Sequence, residues 1–276
     1  DINGIPVERL LLKHLTRDNV INYLQWLHNT KKNTSATCNY RLAAIRSFCS
    51  YLQYIVIDNM VEWQSILSIK AKKTEISPPN YLSMEGIKLL LAQPDTTSWK
   101  GRRHLALLSL MYDTGARVQE IADLTVDCVR IDTTPYTIRL TGKGRKTRIV
   151  PLAEAQVDIL RSYMEENNLN DPNMMKKPLF FNGRHEKLTR EGITYILKIY
   201  ADMANKQQPE IIPKKISCHS IRHSKAMHLL QAGVNLVYIR DILGHVSIQT
   251  TDIYARADSK AKREALENAY TRLTPN

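Results

Sequence analysis

Four short stretches of this 276-residue chain set cationic or polar side chains where they could do chemistry. Thr114–Glu120 carries Arg117 just past a helix stop, and Gly142-Lys143-Gly144 puts Lys143 at the tip of a loop. His219-Ser220-Ile221-Arg222 spaces His219 and Arg222 three apart, on one helix face. Leu243-Gly244-His245 is followed nine residues later by Tyr254. Guanidiniums stay charged and donate in a planar fork, which suits an anion. Histidine moves protons near neutral pH, and a phenol becomes a nucleophile once its proton is taken. Singly, each stretch also has a plain reading: a surface arginine, a common glycine loop, a packed histidine, one of 13 tyrosines. The glycine loop is not a nucleotide cradle, because G-x-x-x-x-G-K-[ST] occurs nowhere. Only the order and spacing of the stretches together carry weight.

The elements that must position these residues are mostly helical. Thr16 is a fitting N-cap for a helix with Val20, Ile21, Leu24 and Leu27 on one face. A second helix follows, with an expected buried stripe of Ala44, Ile45, Phe48, Tyr51, Leu52 and Ile55, and with Arg41 and Arg46 opposite. Residues 71–80 are basic, lack periodicity and end in Pro78-Pro79-Asn80, which reads as a linker between a domain over 1–70 and one over 81–276. In the second domain Ser83 caps a short helix carrying Ile87, Leu90 and Leu91, and a longer apolar helix over about 102–113 stops at Gly115. Short runs at 128–132, 136–141 and 147–152 are rich in Val, Ile, Thr and Tyr, the last two joined by a glycine-rich hairpin loop. Helical spacing returns after Leu188, with stops at Gly233 and Gly244 and a last amphipathic helix over 259–273. The class is α+β and mostly helical, with one small antiparallel sheet.

Lys and Arg number 39 against 27 Asp and Glu, a net charge of +12, which points to a polyanionic partner, nucleic acid or an anionic membrane face. At 43% hydrophobic and 24% charged residues the chain is too apolar to be disordered. No apolar run reaches the ~18–20 residues that span a bilayer, and no signal peptide opens the chain, so a secreted or membrane protein is not expected. Cys38, Cys49, Cys128 and Cys218 form no C-x-x-C pair, which argues against zinc and disulfides and for a reducing cytoplasm. The first residue is Asp1, so we expect a trimmed chain.

The order Arg117, Lys143, His219-x-x-Arg222, His245, Tyr254 resembles the tyrosine recombinase, or phage-integrase-type, family. Leu82-Ser83-Met84-Glu85 is similar to the family's entry into its catalytic domain, and Thr114–Glu120 to its first arginine box. Gly142–Lys146 resembles the lysine hairpin and Val150-Pro151-Leu152 its exit. His219–His223 is similar to the second box, and Leu243–His245 with Thr250–Tyr254 to the third box and nucleophile. Lys225 departs from the pattern, which often has an aromatic residue there, and puts local packing in question. The resemblance covers 81–276 closely and the N-terminal helices loosely, as a core-binding domain. The family's optional N-terminal arm-binding domain has no counterpart in these residues.

That resemblance implies a C-shaped clamp around double-stranded DNA and a site-specific recombinase or integrase, possible for a mobile element and its transposition. Arg117 and Arg222 would hold the scissile phosphate, and Tyr254 would attack it to give a 3′-phosphotyrosine. His219 is the candidate proton acceptor and His245 the candidate hydrogen-bond donor to the phosphate, with the two roles partly shared. Lys143 would protonate the leaving 5′ oxygen. Glu120 either steadies Arg117 or makes a surface ion pair. No metal and no cofactor are expected: no carboxylate pair with two-metal spacing stands out, and the covalent bond keeps the energy of the broken link. Lys31, Lys32, Arg41, Arg46, Arg145 and Lys146 are candidate phosphate contacts or a solvated basic face. The implied assembly is a homotetramer on paired sites, through exchange of the 259–273 helix, unless that helix packs back on its own domain. Accessory DNA-bending factors are compatible with this reading and a membrane is not; the expected location is the bacterial cytoplasm or nucleoid. A type IB topoisomerase shares the chemistry, and a DNA-binding protein that kept the fold without activity is the alternative outside enzymes.

Overall fold

Thr16 accepts a hydrogen bond from the Asn19 amide at 3.3 Å and so starts the first helix, α1 (Arg17–Asn29). The computed structural model describes residues 6–74, 79–245 and 251–254; of Val7 and Lys143 only the backbone is described. The chain divides into two compact units, Asp1–Ser77 and Pro78–Asn276. Among the described residues no helix is long and apolar enough to cross a membrane. The expected helix over 259–273, with Leu266, Ala269, Tyr270 and Leu273, lies outside the described residues.

In the first unit, α1 packs with α2 (Ser35–Leu52) and α3 (Met60–Leu67) around Val20, Leu24, Leu27, Trp63 and Ile66. The stripe expected on α2 is corrected in part: of its members Leu52 is buried and Ile45 packs half-buried against the core, while Ala44 is exposed. Cys38, Leu42, Cys49 and Leu52 face the core, while Phe48, Tyr51 and Ile55 are 47%, 60% and 56% exposed. The reason is size: two small apolar cysteines on the contact line let the helix backbones approach, and the bulkier side chains fall on the adjoining face. Beyond α3, the Asn39 side chain pairs with both backbone groups of Lys72, at 2.8 and 2.9 Å, and ties that segment to α2.

The second unit begins with α4 (Met84–Leu91), capped by Ser83, and is built around α5 (Trp99–Thr114). Ala106, Leu107, Leu108, Leu110 and Met111 are buried almost all round α5, as the apolar run required. After α6 (Val118–Ala122) come β1 (Val129–Arg130), β2 (Thr137–Thr141) and β3 (Thr147–Pro151), an antiparallel sheet in that order. Its register sets Ile138 opposite Val150 and Leu140 opposite Arg148. α7 (Glu154–Glu166), whose apolar face of Val157, Leu160 and Tyr163 packs on α5, has no counterpart in the elements read from the sequence. The chain continues through α8 (Arg190–Gln207), α9 (Cys218–Gln231) and α10 (Leu236–Leu243), and residues 251–254 are helical.

The mismatch foreseen at Lys225 is resolved by pairing. Its ammonium lies 3.2 Å from Asp113 Oδ1 and 5.3 Å from the centre of the Tyr112 ring. A charge with two partners thus occupies the place of an aromatic side chain.

Candidate active site

The site is organised by the ends of two helices. α5 and α10 both stop at a glycine in the left-handed region, Gly115 at φ +56 and Gly244 at φ +65. Such caps leave the last carbonyls of a helix without helical partners, at the negative end of its dipole. Arg222 supplies the partners. It rises from α9, which Ser217 starts by accepting from the Ser220 amide at 3.2 Å. One of its terminal nitrogens donates to Gly115 O at 2.7 Å and the other to Leu243 O at 2.6 Å. The side chain is 1% exposed. Burial, and then the charge of Arg117, lower its pKa to about 10, so it remains a cation at neutral pH.

Arg117 stands just before α6, and its guanidinium is partly open to solvent. It donates to Glu120 Oε1 at 3.0 Å and to Gly244 O at 3.4 Å, while its own amide donates to Glu120 Oε2 at 2.8 Å. Glu120 is therefore no surface ion pair: it is 4% exposed. A second guanidinium, that of Arg148 on β3, reaches the same carboxylate at 2.9 and 2.7 Å. Burial by itself would raise the Glu120 carboxyl, but the bonds from Arg148 and Arg117 outweigh it and hold the pKa below the ordinary value.

Tyr254 is 1% exposed, and its hydroxyl shares a hydrogen bond of 2.8 Å with His223 Nδ1. His223 in turn meets His219 edge-on, with ring centres 4.5 Å apart. His245 lies parallel to the Tyr254 ring at 6.4 Å, and its Nδ1 is 2.9 Å from the Thr251 hydroxyl. Burial pushes the phenol up to about 12, against the pull of Arg222 and Arg117. The histidines move the other way. Burial and then Arg222 and Arg117 bring His245 down to about 4; burial, His219 and Arg222 do the same for His223. His219 is lowered by its surroundings and by the same two arginines. The pocket is thus cationic with neutral histidines and a protonated phenol.

This electrostatic state predicts acid sensitivity. His223, His245 and, at a distance, His104 titrate at about 4 when folded and near 6.5 when unfolded. Arg103 donates to the His104 ring at 2.9 Å, which fixes that ring as neutral. Between those pH values the unfolded chain binds more protons, so stability rises with pH across the window and is lost as pH falls through it. We expect the Tm to drop by several degrees, roughly, between pH 7 and pH 4.5. A constant Tm would contradict the neutral histidines.

Of the residues singled out from the sequence, Arg117, Glu120, His219, Arg222, His245 and Tyr254 converge here. Lys143 begins the turn between β2 and β3, its side chain lying outside the described residues. Arg145 and Lys146 are exposed on that turn; Lys31, Lys32 and Arg41 are exposed and Arg46 half-buried in the first unit. Sequence reasoning missed Arg148 and His223. Both left a signal: Arg148 shares strand alternation with buried Val150, and His223 follows His219 by one helical turn.

A sequence profile described as the phage integrase family matches residues 80–261. The chain belongs to the phage integrase family. Its activity class is that of the tyrosine-type site-specific recombinases. The tyrosine recombinase XerD of Listeria innocua is 30% identical over 260 residues, covering 94% of this chain and 84% of its own. Among solved structures, the XerH site-specific recombinase bound to a palindromic difH substrate, a post-cleavage complex, is 25% identical with a TM-score of 0.69. That match covers 90% of this recombinase and 71% of the XerH chain. The Tn1549 transposon integrase in complex with circular intermediate DNA aligns at a TM-score of 0.72, covering 96% of this chain and 89% of the integrase. At 17% identity that likeness speaks for the fold alone.

Proposed function

We propose that this recombinase cuts and rejoins double-stranded DNA at specific sites through a covalent bond between Tyr254 and a 3′ phosphate. The carrying observation is the convergence of Arg222 and Arg117 on the end of α10, with Tyr254 against His223 beside them. Two guanidiniums there form a receptor for the charge that builds on the non-bridging phosphate oxygens. An entering phosphate offsets Arg222 and Arg117, so the histidines that those charges depress become more basic as DNA binds.

In the reaction the Tyr254 oxygen bonds to phosphorus and the bond from phosphorus to the 5′ oxygen breaks. The phenol proton passes to a histidine: His223 is already at hydrogen-bond distance, and His219 lies one helical turn earlier. Lys143 gives a proton to the leaving 5′ oxygen. One phosphodiester link replaces another, so the reverse attack by a 5′ hydroxyl needs no ATP. When that hydroxyl comes from a second duplex, strands are exchanged within a homotetramer on paired sites. Arg145 and Lys146, with Lys31, Lys32, Arg41 and Arg46, grip the phosphate backbone, and the element served is a mobile one.

The test uses nicked suicide duplexes selected from a random-sequence library for covalent capture by the wild-type protein. We expect a DNA adduct at Tyr254 and, on substrates carrying two such sites, exchanged strands. Relaxation of supercoiled DNA without exchange would indicate a type IB topoisomerase, and binding without an adduct a non-catalytic DNA-binding protein.

A further inference from the structure

Arg148, a charged side chain at the site, neither faces the phosphate receptor nor moves a proton in the proposed reaction; it is paired with Glu120. Arg148 lies on β3 at a position that alternation turns inward, in line with buried Val150 and opposite buried Leu140. An inward position on a small sheet ordinarily takes an apolar residue. Here it holds an arginine whose side chain is only 12% exposed. Each nitrogen of its fork is used. The two terminal nitrogens donate to the two oxygens of Glu120, at 2.9 and 2.7 Å. Nε donates to Ile242 O, in the last turn of α10, at 2.8 Å.

The neighbours are shaped around this arrangement. A Cβ at Gly244 would stand 2.9 Å from the Arg148 guanidinium, and one at Gly142 would stand 3.0 Å from Glu120 Oε1. Three pieces of the site therefore meet on one side chain. They are the hairpin that bears Lys143, the Glu120 carboxylate that holds Arg117, and the α10 end whose next two carbonyls accept from Arg222 and Arg117.

We propose that Arg148 is a positioning residue for cleavage: through Glu120 and Ile242 O it sets Arg117 and the end of α10 relative to the lysine hairpin. The inference rests on the recombinase reading above. With Arg117 alone, Glu120 would be held from one residue only, by the Arg117 amide on Oε2 and one guanidinium nitrogen on Oε1. With Arg148 on its other edge, the carboxylate is fixed from both sides, and Arg117 with it. Lysine cannot reproduce this, because one ammonium cannot meet two carboxylate oxygens and a carbonyl in a planar fork.

The test is single-turnover cleavage of the selected suicide duplex by Arg148→Lys, alone and combined with Arg117→Lys. Arg148→Lys keeps the charge beside Glu120 and is expected to bind the duplex within roughly threefold of wild type while cleaving on the order of 10–100-fold more slowly. In the Arg117→Lys background the same change should cost less than about threefold, because the residue it positions is already lost. Glu120→Gln, which keeps the volume and breaks the bridge at its middle, is the second arm and should show the same loss and the same masking. A folded variant that cleaves at the wild-type rate, or losses that multiply in the double variants, would overturn the proposal. If the wild-type protein forms no adduct, it is the recombinase reading that fails; the role of Arg148 fails only where wild type cleaves and the variants cleave as fast.

Discussion

Tyr254→Phe is expected to abolish the covalent protein–DNA adduct, a loss of at least the order of 10⁴ in cleavage, since no other group can take over a missing nucleophile. Binding to the same duplex should stay within roughly twofold, because the substitution leaves every cation proposed to contact the phosphate backbone in place. The substitution removes only an oxygen. The ring remains packed with Ala226, Met227, Ile239 and Leu243, and the lost bond to His223 should cost about 1 kcal/mol. The variant therefore separates chemistry from folding. Adducts that persist in it, seen on denaturing gels, would place the nucleophile elsewhere.

Arg222→Lys should lower single-turnover cleavage on the order of 10²–10³-fold. A lysine retains the charge but not the fork that bonds Gly115 O and Leu243 O together, so the cation would no longer be aimed. Arg222→Ala should lose cleavage at least as far and also fold less well. It would leave two buried carbonyls unpaired, at about 1–3 kcal/mol each, and the Tm should fall with them. Arg117→Ala makes a useful contrast. That side chain is partly exposed, so cleavage should fall steeply with a smaller change in Tm. Arg222→Lys that cleaves within roughly threefold of wild type would remove Arg222 from the phosphate receptor.

Much of the architecture was legible in the chain because its signals are local. Caps at Thr16 and Ser83, glycine stops at Gly115 and Gly244, and the hairpin over 142–146 depend on backbone geometry within a few residues. The buried face of α2 was misread for a non-local reason. Whether Phe48 or Cys49 faces inward depends on how closely α1 and α3 approach, and bulk hydrophobicity favours the wrong one. α7 went unread although its apolar face is regular.

The candidate site divides along the same line. The types and order of Arg117, Lys143, His219, Arg222, His245 and Tyr254 stand in the sequence, and with them the family and the class of chemistry. What the tertiary structure decided is which group touches which. His223 rather than His219 meets the Tyr254 hydroxyl. Glu120 is shared between two guanidiniums. Arg222 is held by carbonyls from two helix ends, 107 and 21 positions away in the chain. Hydrogen bonds and desolvation act over a few ångströms in space, and no spacing rule along one chain carries them across such distances.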